Sequence, residues 1–314
     1  MAETELQRST VNTILLIGKT GQVGFELERA LRPLGHLLAP GRADLDLSSA
    51  DSIRRAVRAV KPDVIVNAGG FTVVDAAESE PDLAMQLNGV APGILAECAA
   101  EAGALLIHYS TTFVFDGTKS EPYTEEDTIN PVNAYGRSKL AGERAVIAAG
   151  GKSVILRASW VYSDRRTNFV LAMLRLAREK PELTIVDDQI GSPTWARDYA
   201  NATATLLGNV PLLREFPGIY HLSAHSYCSR LEWAQRVIDS ARTASGLDSG
   251  WATLKPTTTA LYPHLAPRPL YTATSNQKIK RTFGIAMPAW GERVDTFMQT
   301  LDWARMICAQ SNAY

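Results

Sequence analysis

Three glycines at a spacing of three, Gly18-Lys19-Thr20-Gly21-Gln22-Val23-Gly24, follow directly on the apolar run Thr13-Ile14-Leu15-Leu16-Ile17 and open a helical pattern. A short, uninterrupted apolar run is what a strand buried on both faces requires, and such strands belong to parallel sheets. Each glycine then answers a steric demand. The first permits a tight turn out of the strand, the second lets the backbone approach a pyrophosphate, and the third lets helix and strand pack closely. Free N–H groups and the dipole at the helix start favour the phosphate charge. Gly18, Thr20, Gly21, Gln22, Val23 and Gly24 are therefore candidate dinucleotide-binding residues, with a plain structural turn as the alternative.

The same alternation repeats downstream. A helix is predicted over 22–34, with Val23, Leu27, Ala30, Leu31 and Leu34 at helical spacing and Pro33 and Gly35 marking its stop. His36-Leu37-Leu38-Ala39 is a second strand, and Ser48 or Ser49 caps a helix through Ile53, Val57 and Val60. Val64-Ile65-Val66-Asn67, Leu105-Leu106-Ile107-His108-Tyr109 and Val154-Ile155-Leu156-Arg157 are further strands, and 81–102 is an alanine-rich helix. The fold class is α/β, a doubly wound parallel sheet with a smaller C-terminal α/β lobe. Residues 11–165, joined by about 184–205, form the dinucleotide-binding domain; about 166–183 and 206–314 form the smaller lobe, with strands at 183–186 and 219–222 and helices from Asn276 and Trp290.

Composition narrows the function classes. With 46% hydrophobic and 21% charged residues in 314, the chain reads as a soluble globular protein. A net charge of -1 gives no drive toward nucleic acid or acidic membranes, and no apolar run approaches a bilayer-spanning length. Residues 1–10 are polar, unlike a secretory signal peptide, and read as a flexible lead-in. Cys98, Cys228 and Cys308 show neither disulfide nor metal-ligand spacing, and the five histidines form no HExxH or HxH group. A cytoplasmic protein without a catalytic metal is expected.

The chemistry is carried by residues at the strand ends. Asn67-Ala68-Gly69 follows the third strand with small residues, as a chain passing beside a cofactor would. Beyond the second strand, Pro40-Gly41-Arg42 stands where an acidic residue usually meets the adenosine ribose. Arg42 either pairs with a 2′-phosphate, favouring NADPH over NADH, or is a solvated surface arginine. Asp46, next to Leu47, is a candidate for the adenine amino group or a helix-entry carboxylate. Ser110, Thr111 and Thr112 emerge at the carboxyl edge of the sheet, as substrate-oxygen ligands or as strand-end caps. Tyr135 and Lys139 lie four residues apart on one helix face, where an ammonium favours phenolate and readies the tyrosine for proton transfer. Together these groups make a carbonyl-reduction site: a hydroxyl holds the oxygen, Tyr135 protonates it, and Lys139 tunes the tyrosine and binds the nicotinamide ribose.

With these motifs go Pro62-Asp63-Val64-Ile65-Val66-Asn67-Ala68, Val74-Asp75-Ala76-Ala77-Glu78-Ser79-Glu80-Pro81, Val114-Phe115-Asp116-Gly117, Arg157-Ala158-Ser159-Trp160-Val161-Tyr162, Asp188-Gln189-Ile190-Gly191-Ser192-Pro193-Thr194 and Arg268-Pro269. Nearly along its full length the chain resembles the extended short-chain dehydrogenase/reductases, and among them the dTDP-4-dehydrorhamnose reductase family. The resemblance implies Thr111, Tyr135 and Lys139 as the catalytic set, with Ser110 beside them. It implies Thr111, Thr112, Val74, Asp75, Trp160 and Arg268 around a dTDP-linked 4-keto-6-deoxysugar, NADPH or NADH as cofactor, and an open question of homodimer formation. Three departures surround the sugar site: Thr112 in place of an aspartate, Gly69-Gly70-Phe71, and Leu270-Tyr271-Thr272-Ala273. Some members dimerise through acidic residues and a metal; Glu26 suits such a surface, but Arg197 stands where another acid is expected. Two other readings stay open: a reductase or epimerase for another nucleotide-linked deoxysugar, and a non-catalytic cofactor-binding regulatory subunit.

Overall fold

The computed structural model describes residues 11–262 and 264–303; the lead-in 1–10 and Cys308 lie outside them. Strand β1 (Thr13–Ile17) turns into helix α1 (Gln22–Leu31), which closes in a 3-10 turn at Pro33 before β2 (His36–Leu38). Helix α2 (Ala50–Val60), capped by the Ser49 hydroxyl, leads to β3 (Val64–Asn67). Between β3 and β4 (Leu105–Thr111) lie α3 (Val74–Ser79), α4 (Pro81–Met85) and α5 (Ala91–Ala102). Helix α6 (Ala134–Ala148) then carries the chain to β5 (Ser153–Ala158).

The second half runs through β6 (Val161–Tyr162), α7 (Phe169–Glu179), β7 (Glu182–Val186), β8 (Ile190–Gly191), β9 (Thr194–Trp195), α8 (Ala196–Leu207) and α9 (Val210–Glu215). It ends with β10 (Gly218–His221), β11 (Cys228–Ser229), α10 (Arg230–Ser245), β12 (Thr253–Thr257), α11 (Gln277–Phe283) and α12 (Trp290–Gln299).

Six strands form one parallel sheet in the order β10-β5-β4-β3-β1-β2. Its side chains alternate between two buried faces. Ile14, Leu16, Val64, Val66, Leu105, Ile107, Val154 and Leu156 pack on one side with α1 and α8. Leu15, Ile17, Ile65, Leu106 and Ile155 pack on the other with α2, α5 and α6. Period-two alternation with both faces buried explains why each strand reads as an unbroken apolar run. The direction of winding reverses between β1 and β3, so a crevice opens at their carboxyl ends.

A separate core, with Val170, Leu174, Leu183, Ile185, Trp195, Trp233, Val237 and Phe297, holds the smaller lobe together. Strand pairing differs from the lobe bounds expected from the sequence. β7 pairs in parallel with β12 in the smaller lobe, so 184–186 does not join the large sheet. β10 pairs with β5 as the sixth strand, and Ile279, Ile285 and Met287 pack into the large core, so parts of 206–314 return to the dinucleotide-binding domain. An apolar run reveals a strand but not its partner, because pairing is a long-range choice.

The helix expected over 81–102 is broken by a π-turn at Gln86–Val90. Pro92 has no N–H to offer the Asn88 carbonyl, so the α-helical ladder cannot continue there. Gly142 of α6 packs against that carbonyl, where any Cβ would overlap it. Among the described residues no helix is long and apolar enough to cross a membrane.

Candidate active site

The glycine turn closes over the crevice. Gly18 has φ +87, and a Cβ there would also come within 2.6 Å of the Gly69 nitrogen and 2.7 Å of the Ala68 carbonyl. The end of β1 is therefore pressed against the chain leaving β3, which only glycine permits. Gly24 lies against the Gly18 carbonyl, and the Gly21 N–H donates to that same oxygen at 3.0 Å. Asn67 Oδ1 accepts from Gly69 N–H at 3.1 Å, and Leu47 reaches the same glycine. Gly18, Gly21, Gln22, Val23, Gly24, Leu47, Asn67, Ala68 and Gly69 thus border one cradle, with the first turn of α1 directed at it. A glycine-lined turn at a helix start is the shape a dinucleotide pyrophosphate requires.

Arg42 and Asp46 sit at the exposed lip beyond β2, 3.7 Å apart. Asp46 also accepts from Ser48 N–H, which with the nearby Arg42 holds its carboxyl below the usual range. It thereby closes a turn ahead of α2, whose cap is Ser49. The sequence offered no signal for a second cover over the glycine turn. Arg166, itself at φ +59, donates to the Thr20 carbonyl at 3.1 Å, and Ser163 donates to Gln22 Oε1 at 3.0 Å.

Helix α6 presents Tyr135 and Lys139. Asn133 caps it through Gly136 N–H at 2.8 Å, and Glu78 accepts from Ala134 N–H at 2.6 Å. Gly136 lets the helix start lie on the Phe113 carbonyl. Tyr135 is thereby held among Phe71, Ala77, Ala84 and Phe113, with the Thr111 hydroxyl near its phenol. Burial raises its pKa, and the nearby Thr111 hydroxyl only partly offsets this. The expected lowering by Lys139 is not found. Lys139 instead donates to the Tyr109 carbonyl at 2.5 Å, and burial drops its own pKa to about 8 against the raising effect of Glu143.

Ser110 is displaced from the expected catalytic set. Its hydroxyl donates to Glu143 Oε1 at 2.5 Å, and Glu143 is clamped by Arg157 Nε at 2.8 Å and Nη2 at 2.6 Å, all fully buried. Strand alternation accounts for this: Ser110 shares the sheet face of Leu106, which packs on α6, whereas Thr111 ends the strand and its hydroxyl accepts from Phe113 N–H at 3.2 Å. Thr112 is wholly buried, and its hydroxyl has no partner. His108 lies beneath the crevice beside Asn67, and burial keeps it neutral.

The smaller lobe supplies the opposite wall. Trp160 follows β5 at φ +41, a conformation a side-chain-bearing residue adopts only under constraint, and its indole stacks on Trp233 at 5.4 Å. Arg230, a residue the sequence reading passed over, lies 3.8 Å above the Trp160 ring. Asp75, one residue after Val74 on α3, accepts from Arg268 at 2.6 Å and from Ala266 N–H at 3.0 Å. Two sequence candidates are so joined in a latch across the crevice. Glu26 is buried and paired within the chain, with Arg197 Nε at 3.3 Å and Arg29 at 3.0 Å, rather than forming an acidic surface.

This arrangement has close counterparts. Residues 12–303 match the model of the RmlD substrate binding domain. A dTDP-4-dehydrorhamnose reductase of Burkholderia thailandensis is 43% identical over 282 residues, covering 88% of this chain and 95% of its own. That of Salmonella typhimurium is 42% identical over 281 residues, covering 88% and 94%. The crystal structure of the Bacillus anthracis dTDP-4-dehydrorhamnose reductase in complex with NADP aligns with a TM-score of 0.84 at 30% identity, covering 91% and 98%. A Thermus thermophilus UDP-glucose 4-epimerase with NAD shares the fold, at a TM-score of 0.74 and 18% identity, covering 91% and 97%. With a match that spans both lobes and the crevice between them, the chain belongs to the dTDP-4-dehydrorhamnose reductase family.

Proposed function

We propose that the chain catalyses NADPH-dependent reduction of the 4-keto group of dTDP-4-dehydro-β-L-rhamnose, giving dTDP-L-rhamnose as the last step of its synthesis, with NADH as an alternative donor. The observation that supports this is Tyr135 set beside Thr111 at the carboxyl end of β4, with Lys139 one helical turn on. The cradle from Gly18 to Gly24, with Leu47 and Asn67 to Gly69, would hold the dinucleotide, and Arg42 would exchange Asp46 for a 2′-phosphate. When bound, the nicotinamide supplies hydride to the carbonyl carbon.

The chain's own groups do the rest. Thr111 orients the substrate oxygen. Tyr135, kept protonated by burial, donates its phenolic proton to that oxygen as negative charge develops on it. Lys139, one helical turn on and held at the Tyr109 carbonyl, would hold the ribose hydroxyls. Trp160 bounds the hexose, and the Asp75–Arg268 latch closes the nucleotide side together with Val74.

Tyr135→Phe tests the assignment. Turnover is expected to fall by about 10²- to 10⁴-fold, the usual worth of a positioned acid, with cofactor affinity nearly intact. Equal loss of both would remove Tyr135 from the proton-donor role. A related reductase acting on another nucleotide-linked 4-keto sugar is the second reading, motivated by Thr112, which stands where the family resemblance implies an aspartate and whose hydroxyl is buried without a partner.

A further inference from the structure

Arg230 opens α10 as its first residue, yet its side chain turns back across the crevice wall. Its guanidinium carbon lies 3.8 Å from the Trp160 ring centre, 4.9 Å from that of Phe169 and 5.3 Å from that of Trp233. Stacking occupies the flat faces of a guanidinium and leaves its N–H edge free to donate in the plane. Among the described residues no carboxylate is paired with it, and the strongest charge acting on it is a second cation, Arg268. Burial and that neighbour lower its pKa to about 9, unusual for an arginine. Arg268 has Asp75 at 2.6 Å, so the group carries one positive charge over. A half-buried cation held beside another cation, with its donor edge unused, is an incomplete anion site.

We infer that Arg230 reads the diphosphate of the nucleotide-sugar, donating its free edge to phosphate oxygens while Trp160 fixes the guanidinium plane. The inference rests on the proposed function, and it adds an element of substrate selection that the glycine turn and Tyr135 do not provide. A dianionic diphosphate neutralises the excess charge, and the stack couples diphosphate recognition to the indole that bounds the hexose. The same indole would therefore be ordered by the nucleotide before the sugar is set against Tyr135.

The test compares Arg230→Met, which keeps an apolar stem on Trp160 without charge, and Arg230→Lys, with the unaltered chain. Binding of dTDP and of uncharged thymidine is measured by calorimetry in the presence of NADPH, alongside steady-state kinetics. For Arg230→Met, dTDP affinity is expected to fall at least tenfold and thymidine affinity less than twofold, the kinetic loss falling on KM more than on kcat. Arg230→Lys should recover part of the dTDP affinity. If dTDP and thymidine weaken by the same factor, or neither changes, while the unaltered chain turns over its 4-keto sugar, the inference falls and the reductase reading stands. If the unaltered chain neither binds dTDP nor turns over, both fall.

Discussion

At the residue scale, the decisive pair is Tyr135 and Lys139, and burial governs both. Their helical spacing was legible in the sequence, because positions four apart share a face wherever the helix lies. The direction of the tyrosine's shift was not, because it depends on what surrounds the phenol. Phe71 and Phe113 come from distant segments, and Lys139 finds the Tyr109 carbonyl on another strand. A raised phenol stays protonated through the working range, which suits a donor. The basic limb of the pH profile then belongs to Lys139. Its pKa of about 8 predicts that kcat/KM for reduction is flat below that value and falls above it as the ammonium is lost. Stability runs the other way: between about 8 and 10.5 the unfolded chain holds a proton that the folded chain has released, so this group's contribution rises with pH. A pH–rate profile with no limb near 8 would contradict the assignment.

At the element scale, α6 is tied to β4 at two points one helical turn apart: Lys139 on the Tyr109 carbonyl, and Glu143 on Ser110. Ser110 read as a catalytic hydroxyl because it stands next to Thr111; only strand alternation, together with Glu143 and Arg157 behind it, shows that it belongs to the tie. The parallel strands were readable for a related reason, since burial on both faces leaves a short apolar run whose β-branched residues and flanking glycines separate it from a buried helix segment. Partners of β7 and β10, and the π-turn before Pro92, lay beyond that signal because each depends on packing across the chain. Glu143→Gln is expected to cost about 3–5 kcal/mol of stability, leaving Arg157 as an uncompensated buried charge. It also removes the carboxylate that raises the Lys139 pKa, so the basic limb should move below 8. Thermal unfolding and the pH–rate profile read the two effects separately. Unchanged stability and an unmoved limb would show that the tie does neither.

At the scale of the whole molecule, two cores meet along one crevice. The large parallel sheet brings the glycine cradle and the Thr111–Tyr135 pair to its carboxyl edge, and the smaller lobe sets Trp160 and Arg230 opposite them. The Asp75–Arg268 latch spans the two. Under the proposed function neither half performs the reaction alone: one would hold the cofactor and the proton donor, the other would recognise the nucleotide-sugar. The resemblance of the motifs already pointed to this division, and family membership now rests on a match across residues 12–303. The most direct measurement supplies the purified chain with the 4-keto sugar made by the upstream dTDP-sugar enzymes, and follows NADPH consumption together with the product. The account predicts one NADPH oxidised for each dTDP-L-rhamnose formed. Tight NADPH binding with no oxidation in the presence of any dTDP-linked 4-keto sugar would contradict it.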